Sequence, residues 1–303
     1  MCSSDLFVRL ERDGRVGFGE CAPLPGLHRE SFDDCAAALE RFASGACAAD
    51  ALPPAAQFAV SCAEAMLGGL GGLACEPAHV AAFFPGGVAD LDAAVEHFAD
   101  APVIKLKIGR AGADDERALL RNACAAWPLA VFRVDGNRRL AFADCVERLR
   151  GIDPARIEYL EEPLADPADL PRLRAATGIA IALDELVADT DPSAALLRDM
   201  LSTSGAVEAW VLRLSCLGSV ARARMLASAA ASHGIDAVLS TAYESSFSLR
   251  FAVHLAASIP NARRAHGLGT AGVLDSDACV PAMARRGLLA GDPLPVPLAE
   301  AWR

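Results

Sequence analysis

The chain has 303 residues, 53% of them hydrophobic, and a formal net charge of −11. That length allows one large α/β barrel plus a smaller domain, and the acidic balance argues against nucleic acid or an anionic membrane as the main partner. Ten cysteines lie scattered with no C-x-x-C pair, which is the usage of a reducing cytoplasm with buried free thiols rather than of a disulfide framework or a zinc site.

Met1–Asp5 has neither the basic start nor the apolar core of a signal peptide, and strand-like sequence begins at once. The expectation is a chain whose natural N-terminal segment, and with it a lid over the site, is missing. Ala55–Cys75 is the most apolar long stretch, but Glu64 and four glycines exclude a membrane span.

Leu6–Leu10 and Arg15–Glu20 flank Asp13-Gly14, which predicts a hairpin. A rigid loop, Pro23-Leu24-Pro25-Gly26, follows. Ser31 with Asp34 three residues on predicts a helix start, and Phe32, Ala36, Leu39 and Phe42 continue at helical spacing. A second helix is predicted over Pro54–Leu67. These elements form an α+β capping domain over residues 1–78.

From His79 the pattern becomes strand–helix alternation. The predicted strands are Val80–Phe84, Val103–Ile108, Ala130–Asp135, Ile157–Leu160, Ile179–Asp184, Ala209–Arg213, Ala237–Ser240 and Ala265–Gly267. Eight strands separated by helices predict a TIM-type (β/α) barrel over residues 79–287. A proline-rich tail, residues 288–303, is expected to return to the cap.

The second barrel strand, Val103–Gly109, reads VIKLKIG. Residues two apart on a strand share a face, so Lys105 and Lys107 project together from a strand that should be buried. Buried ammonium groups demand carboxylates or a metal site. Alone, K-x-K is ordinary strand-face sequence. Here, however, successive strands end in Asp135 (FRVDGN), Glu161-Glu162 (YLEEP), Asp184-Glu185 (IALDE) and Arg213 (WVLRLS). Active sites of such barrels lie at the C-terminal rim. Parity selects Arg133 and Asp135, Tyr159 and Glu161, and Ala180, Ala182 and Asp184 as inward sets. Three converging carboxylates suit Mg²⁺, or Mn²⁺, and a small carboxylate substrate. The metal would acidify an α-proton by stabilising an enediolate, and a lysine depressed by neighbouring cations would take that proton. Lys107, nearer the rim, is the expected base, and Lys105 lies one layer deeper. Phe83, Phe84 and Trp210 are weighed as pocket or core, and His28 as a cap-loop residue facing substrate. Oligomeric state is not legible.

The order K-x-K, D-x-N, E-E-P, D-E resembles the enolase superfamily, muconate-lactonising subgroup, whose lysine bases with Mg²⁺ are a worked example of pKa tuning. More closely, GFGECAPLPG (Gly17–Gly26), FAVSCAEAML (Phe58–Leu67) and AVLSTAYESS (Ala237–Ser246) are similar to the cap loop, cap helix and seventh strand of the o-succinylbenzoate synthase family. The resemblance implies an enolase-like fold and a syn dehydration in menaquinone biosynthesis. It implies Asp135, Glu161 and Asp184 as Mg²⁺ ligands, Lys107 as base supported by Lys105, and Asn137 and Glu185 behind them. It also implies Ser240, Thr241, Ser245 and Gly267 on the succinyl side of the substrate. The sequence departs from that family where a K-P pair is usual, since Arg213-Leu214 stands there. An arginine stays protonated and cannot serve as a base. This weighs against a two-base racemase or dipeptide epimerase and leaves room for a one-base dehydration. A related N-acylamino acid racemase, dipeptide epimerase or cycloisomerase, and a degenerate, non-catalytic barrel, remain the alternatives.

Overall fold

The structure, a computed structural model, describes residues 5–70, 75–189, 205–294 and 296–298. Its first unit is the antiparallel hairpin β1 (Leu6–Arg12) and β2 (Arg15–Cys21), in register from Leu6 opposite Cys21 to Arg12 opposite Arg15. The two turn residues, Asp13 and Gly14, both have positive φ, as a two-residue hairpin turn requires. Helix α1 (Phe32–Ala43) starts at Ser31 with a full capping box to Asp34. Helix α2 (Pro54–Leu67) lies under the hairpin. A Cβ on Gly17 or Gly19 would come within 2.0 Å of the Ala63 carbonyl oxygen or 1.8 Å of that of Ala59. Glycine at alternate strand positions therefore lets β2 rest on two successive turns of α2. Cys21, Cys35, Ala38, Ala56 and Val60 fill this small core.

The second unit is a closed barrel. Its parallel strands are β3 (Ala78–Phe84), β4 (Val103–Lys107), β5 (Val131–Asp135), β6 (Ile157–Glu161), β7 (Ile181–Leu183), β8 (Val207–Arg213), β9 (Asp236–Ser240) and β10 (His266–Gly269). They pair in chain order, and β10 pairs with β3 to close the ring. Each predicted strand overlaps one of these. Helices such as Ala113–Ala126, Val220–Ser232 and Ser246–Ala256 cover the outside, and the main apolar core lies between them and the strands. No helix among the described residues is long and apolar enough to cross a membrane.

Inside the ring, Tyr159, Ala180, Ala182, Ala209, Val211 and Val238 form a separate small cluster. These residues follow the predicted parity. Apart from Tyr159 the side chains of this cluster are small, and Lys105 and Arg133 border the same interior hollow as Tyr159, Val211 and Val238. The tail begins with β11 (Leu288–Leu289), antiparallel to β3. A free backbone edge on β3 at that end supplies the pairing. Residues 299–303 lie outside the described set.

Candidate active site

Register builds the site. Lys107 lies opposite Asp135, and Asp135 opposite Glu161, so three strand ends bring a base and two acids to one level. Lys105 Nζ is 2.8 Å from Asp135 Oδ2 and 2.7 Å from Glu161 Oε1. Lys107 Nζ is 3.3 Å from the same Asp135 oxygen and donates to Asn137 Oδ1 at 2.6 Å. Asn137 is held in turn: its N–H donates to Asp135 Oδ1 at 2.9 Å and its amide to Glu185 Oε1 at 3.4 Å. Arg213 grips both oxygens of Asp184 through Nε and Nη2.

The loop sequences explain themselves locally. A Cβ at Gly136 would sit 2.6 Å from Pro163 Cα, so only glycine lets the loop after β5 fold onto E-E-P. Glu161 turns inward from that motif, whereas Glu162 turns aside. Its Oε1 accepts the N–H groups of Asp184 at 3.1 Å and Leu186 at 2.9 Å, which ties β6 to the end of β7. One glutamate of the pair thus faces the cavity, and the other fixes the neighbouring strand end.

Burial and charge pull these groups apart in proton affinity. Burial by itself would depress Lys105, but Asp135 and Glu161 outweigh it and hold the ammonium above its ordinary value. Lys107 goes the other way: burial lowers it, Asp135 resists, and the cations Lys105 and Arg213 lower it further. Asp135 is buried yet held well below the carboxylate range by both lysines. Glu161 is pushed up to about 7 by burial and by Asp135 and Asp184, against Lys105. The lysine expected to be the base is thus the one whose proton affinity is lowered.

A hollow of about 60 Å³ on the barrel axis is lined by Lys105, Lys107, Glu161, Arg213, Ser240 and Gly267, among others. Thr241 also lines it. Its hydroxyl lies 3.5 Å from the carbonyl of Gly267 and 3.5 Å from Thr270 Oγ1. Ser245 does not line it. That residue caps the helix Ser246–Ala256 and donates to Glu20 Oε2 at 2.8 Å. Glu20, reaching from the cap, also accepts from Ser245 N–H and Ser248, and burial pushes it up to about 8. Phe83 lines the hollow, whereas Phe84 packs on Phe98 and Trp127, and Trp210 is buried in the main core. His28 turns Nε2 toward Ser215 Oγ at 3.1 Å.

Arg133 lines the hollow as parity predicts, and Tyr243, Gly269 and Thr270 also line it without having been singled out. Gly269 was within reach of strand parity, since it lies two residues beyond Gly267. Both are glycine because a Cβ would meet Ser240 Oγ at 2.9 Å or the Ala81 carbonyl at 2.4 Å. Tyr243 stands in the left-handed region, φ +66°, where no periodic pattern operates. It also lines a hollow of about 670 Å³ against the cap loop Ala22–Ser31. The site therefore meets the cap at this ring.

The all-oxygen chemistry of Asp135, Glu161 and Asp184 fits a hard divalent ion. Asp135 Oδ2 is buried with ammonium neighbours but no aligned hydrogen bond, a lone pair left for such an ion. The convergence expected of the three is not complete, because their oxygens do not all lie within 4.8 Å of one another. Each carboxylate is drawn to a cation of the chain instead, Asp184 most of all to Arg213.

A capped parallel barrel with lysines and carboxylates on its C-terminal rim is the class that fold and site define. A profile described as enolase C-terminal domain-like matches residues 90–287, and one described as MenC, N-terminal domain, matches residues 3–67. The chain belongs to the enolase superfamily. It is 31% identical over 259 residues to o-succinylbenzoate synthase of Yersinia pseudotuberculosis serotype I (strain IP32953), covering 83% of this chain and 78% of that protein. Among solved structures, MenC from Desulfotalea psychrophila LSv54 superposes with a TM-score of 0.71 at 22% identity, covering 95% of this chain and 98% of that one. Dipeptide epimerase from Enterococcus faecalis V583, complexed with Mg and dipeptide L-Leu-L-Tyr, superposes with a TM-score of 0.79 at 20% identity, covering 94% and 88%.

Proposed function

We propose that this chain is a Mg²⁺-dependent hydro-lyase that converts 2-succinyl-6-hydroxy-2,4-cyclohexadiene-1-carboxylate to o-succinylbenzoate and water, a step of menaquinone biosynthesis. One tunable base facing one fixed cation carries the reading. Lys107 ends β4 and Arg213 ends β8, four strands apart in a ring of eight and so on opposite walls. Similarity to o-succinylbenzoate synthases at 31% identity supports it. The solved epimerases share the fold, but an epimerisation needs a proton acceptor and donor on both faces, and Arg213 does not exchange its proton at neutral pH.

Asp135, Glu161 and Asp184 are the residues that would hold Mg²⁺, and the ion would supply charge stabilisation to the substrate carboxylate as its α-carbon loses a proton. Lys107 Nζ, in its neutral form, accepts that proton, and Asn137 Oδ1 keeps the amine aimed. The resulting ammonium of Lys107 returns the proton to the departing hydroxyl on the same face, releasing water. Loss of the C–O bond completes the aromatic ring, which makes the step downhill. Arg213 presents a permanent positive charge to the developing anion from the opposite wall. Lys105, held protonated by Asp135 and Glu161, keeps Asp135 ionised, works against the protonation of Glu161 and lowers Lys107. Ser240, Thr241 and the Gly267 backbone border the space left for the succinyl arm.

The test is the loss of the cyclohexadiene absorbance in the presence of Mg²⁺, run beside Lys107→Ala. Metal-dependent aromatisation that vanishes in the variant supports the assignment. Exchange of an α-proton on an N-acylamino acid or dipeptide, with no dehydration, would move it to the epimerase alternative. Mg²⁺-dependent stabilisation with neither reaction would leave a binding barrel.

A further inference from the structure

We infer that Cys75, His254 and Asp292 form a second metal site, remote from the rim in chemistry and suited to zinc or a similar borderline divalent ion. Among the described residues this is the one trio of His, Cys, Asp or Glu donors whose ligand atoms all lie within 4.8 Å of one another. The three come from separate segments: Cys75 from the stretch joining cap to barrel, His254 from the helix Ser246–Ala256, and Asp292 from the tail. Sequence spacing could not show the trio, because no two of its members share a local motif.

Two further observations point to a ligand. His254 is buried, its side chain 3% exposed, yet its Nε2 has no hydrogen-bond partner. It faces Asp292 Oδ1 at 3.0 Å without the alignment of a bond, although a buried imidazole nitrogen ordinarily has a partner. Asp292 is itself preset, since its Oδ2 accepts the Cys75 N–H at 2.8 Å. Gly291 permits the approach: a Cβ there would come within 2.7 Å of Cys75 Sγ and 3.1 Å of His254 Cδ2.

Thiolate, imidazole and carboxylate together match zinc's ligand preferences, and Asp292 is partly exposed, so water can fill a fourth position. Mg²⁺, which demands a shell of oxygens, is not expected to compete. On binding, the Cys75 thiol gives its proton to solvent as the metal–sulfur bond forms, and the bound group is neutral: two negative ligands and one dication. The ion would staple the tail to the barrel helix and to the start of the barrel.

The experiment loads full-length protein, saturated with Mg²⁺, with Co²⁺ as a spectroscopic stand-in and then with Zn²⁺. One equivalent of Co²⁺ giving a sulfur-to-cobalt charge-transfer band, bleached by Zn²⁺, is expected. Cys75→Ser should lose the band, and Asp292→Asn should weaken binding at least about tenfold. Zn²⁺ should raise the melting temperature of the parent and not of Cys75→Ser. Co²⁺ bound at the rim carboxylates gives no sulfur band, so rim binding cannot imitate the result. A parent protein without the band, or a band that survives in Cys75→Ser, overturns the assignment. Should a variant fail to fold, the parent spectrum alone still decides.

Discussion

Two charged clusters occupy the two ends of the same barrel. At the N-terminal end, Glu158, Glu208 and Asp236 sit at the starts of β6, β8 and β9. Their oxygens are all taken: Arg264 reaches each of the three acids at 2.8–3.1 Å, and Arg133, Arg174 and Arg263 take the remaining ones. At the C-terminal rim, two lysines share one oxygen of Asp135, that oxygen lacks an aligned hydrogen bond, and a hollow opens beside the two lysines. Buried charge alone therefore does not mark a reactive site. The lower cluster uses arginine, whose charge is permanent and whose planar fork saturates carboxylates. The rim uses lysine, whose proton affinity burial can move. Arg133 stands between the two, bonded to Glu158 below and stacked 4.7 Å from the Tyr159 ring centroid under the hollow.

The sharpest way to break this contrast is to remove the rim's movable proton. Lys107→Ala should cut kcat by about 10⁴-fold, the upper range for general acid–base catalysis, with thermal stability unchanged or higher. Turnover near the parent level would show that Lys107 is no more reactive than an arginine of the lower cluster. Next in size is the metal. Chelation with EDTA should abolish turnover and Mg²⁺ should restore it, while Asp184→Asn should weaken Mg²⁺ binding by about 100-fold or more, read by calorimetry. Equal Mg²⁺ affinity in that variant would remove Asp184 from the ligand set.

Arg213 sharpens the comparison, because it is a lower-cluster kind of residue placed at the rim. Arg213→Met should reduce kcat by roughly 10²-fold, the scale of losing one preorganised electrostatic partner. It should also move the pH profile. Activity rises with pH as Lys107 loses its proton, and Arg213 is one of the cations holding that proton affinity down. Without it, the ascending limb of kcat/KM should shift to higher pH. A limb that stays in place would mean that burial and Lys105 alone tune the base.

How much of this was legible in the sequence follows the same division. The placing of Lys105, Lys107, Asp135, Glu161 and Asp184 at strand ends was legible because a period of two and the ends of strands are sequence properties, and register sets them at one rim. The hairpin turn and the capping box were legible for the same reason: their chemistry is local. The bond that holds Ser245 was not legible because its partner, Glu20, lies 225 positions away in the chain. The lower cluster was missed altogether. Its acids stand one or two residues into their strands, where nothing in the alternating pattern separates them from solvated side chains, and Arg264 joins them only once the ring closes. The pairing of Leu288–Leu289 was not legible because its partner is a backbone edge of β3, and backbone edges leave no trace in side-chain pattern.

The smallest catalytic effect should come from the lower cluster itself, and it is the control that gives the others meaning. Arg264→Met strands three acids that now share its guanidinium, and breaking such largely buried pairs costs roughly 3 kcal/mol. Unfolding in denaturant should show that loss as a lower midpoint with an unchanged slope. Under conditions where the variant stays folded, kcat and the pH limb should match the parent, because no atom of Arg264 borders the hollow. Should the pH limb move as it does for Arg213→Met, the two clusters would be coupled through Arg133 and Tyr159. The barrel would then be one electrostatic unit, tuned along its whole axis, rather than a saturated base supporting a reactive rim.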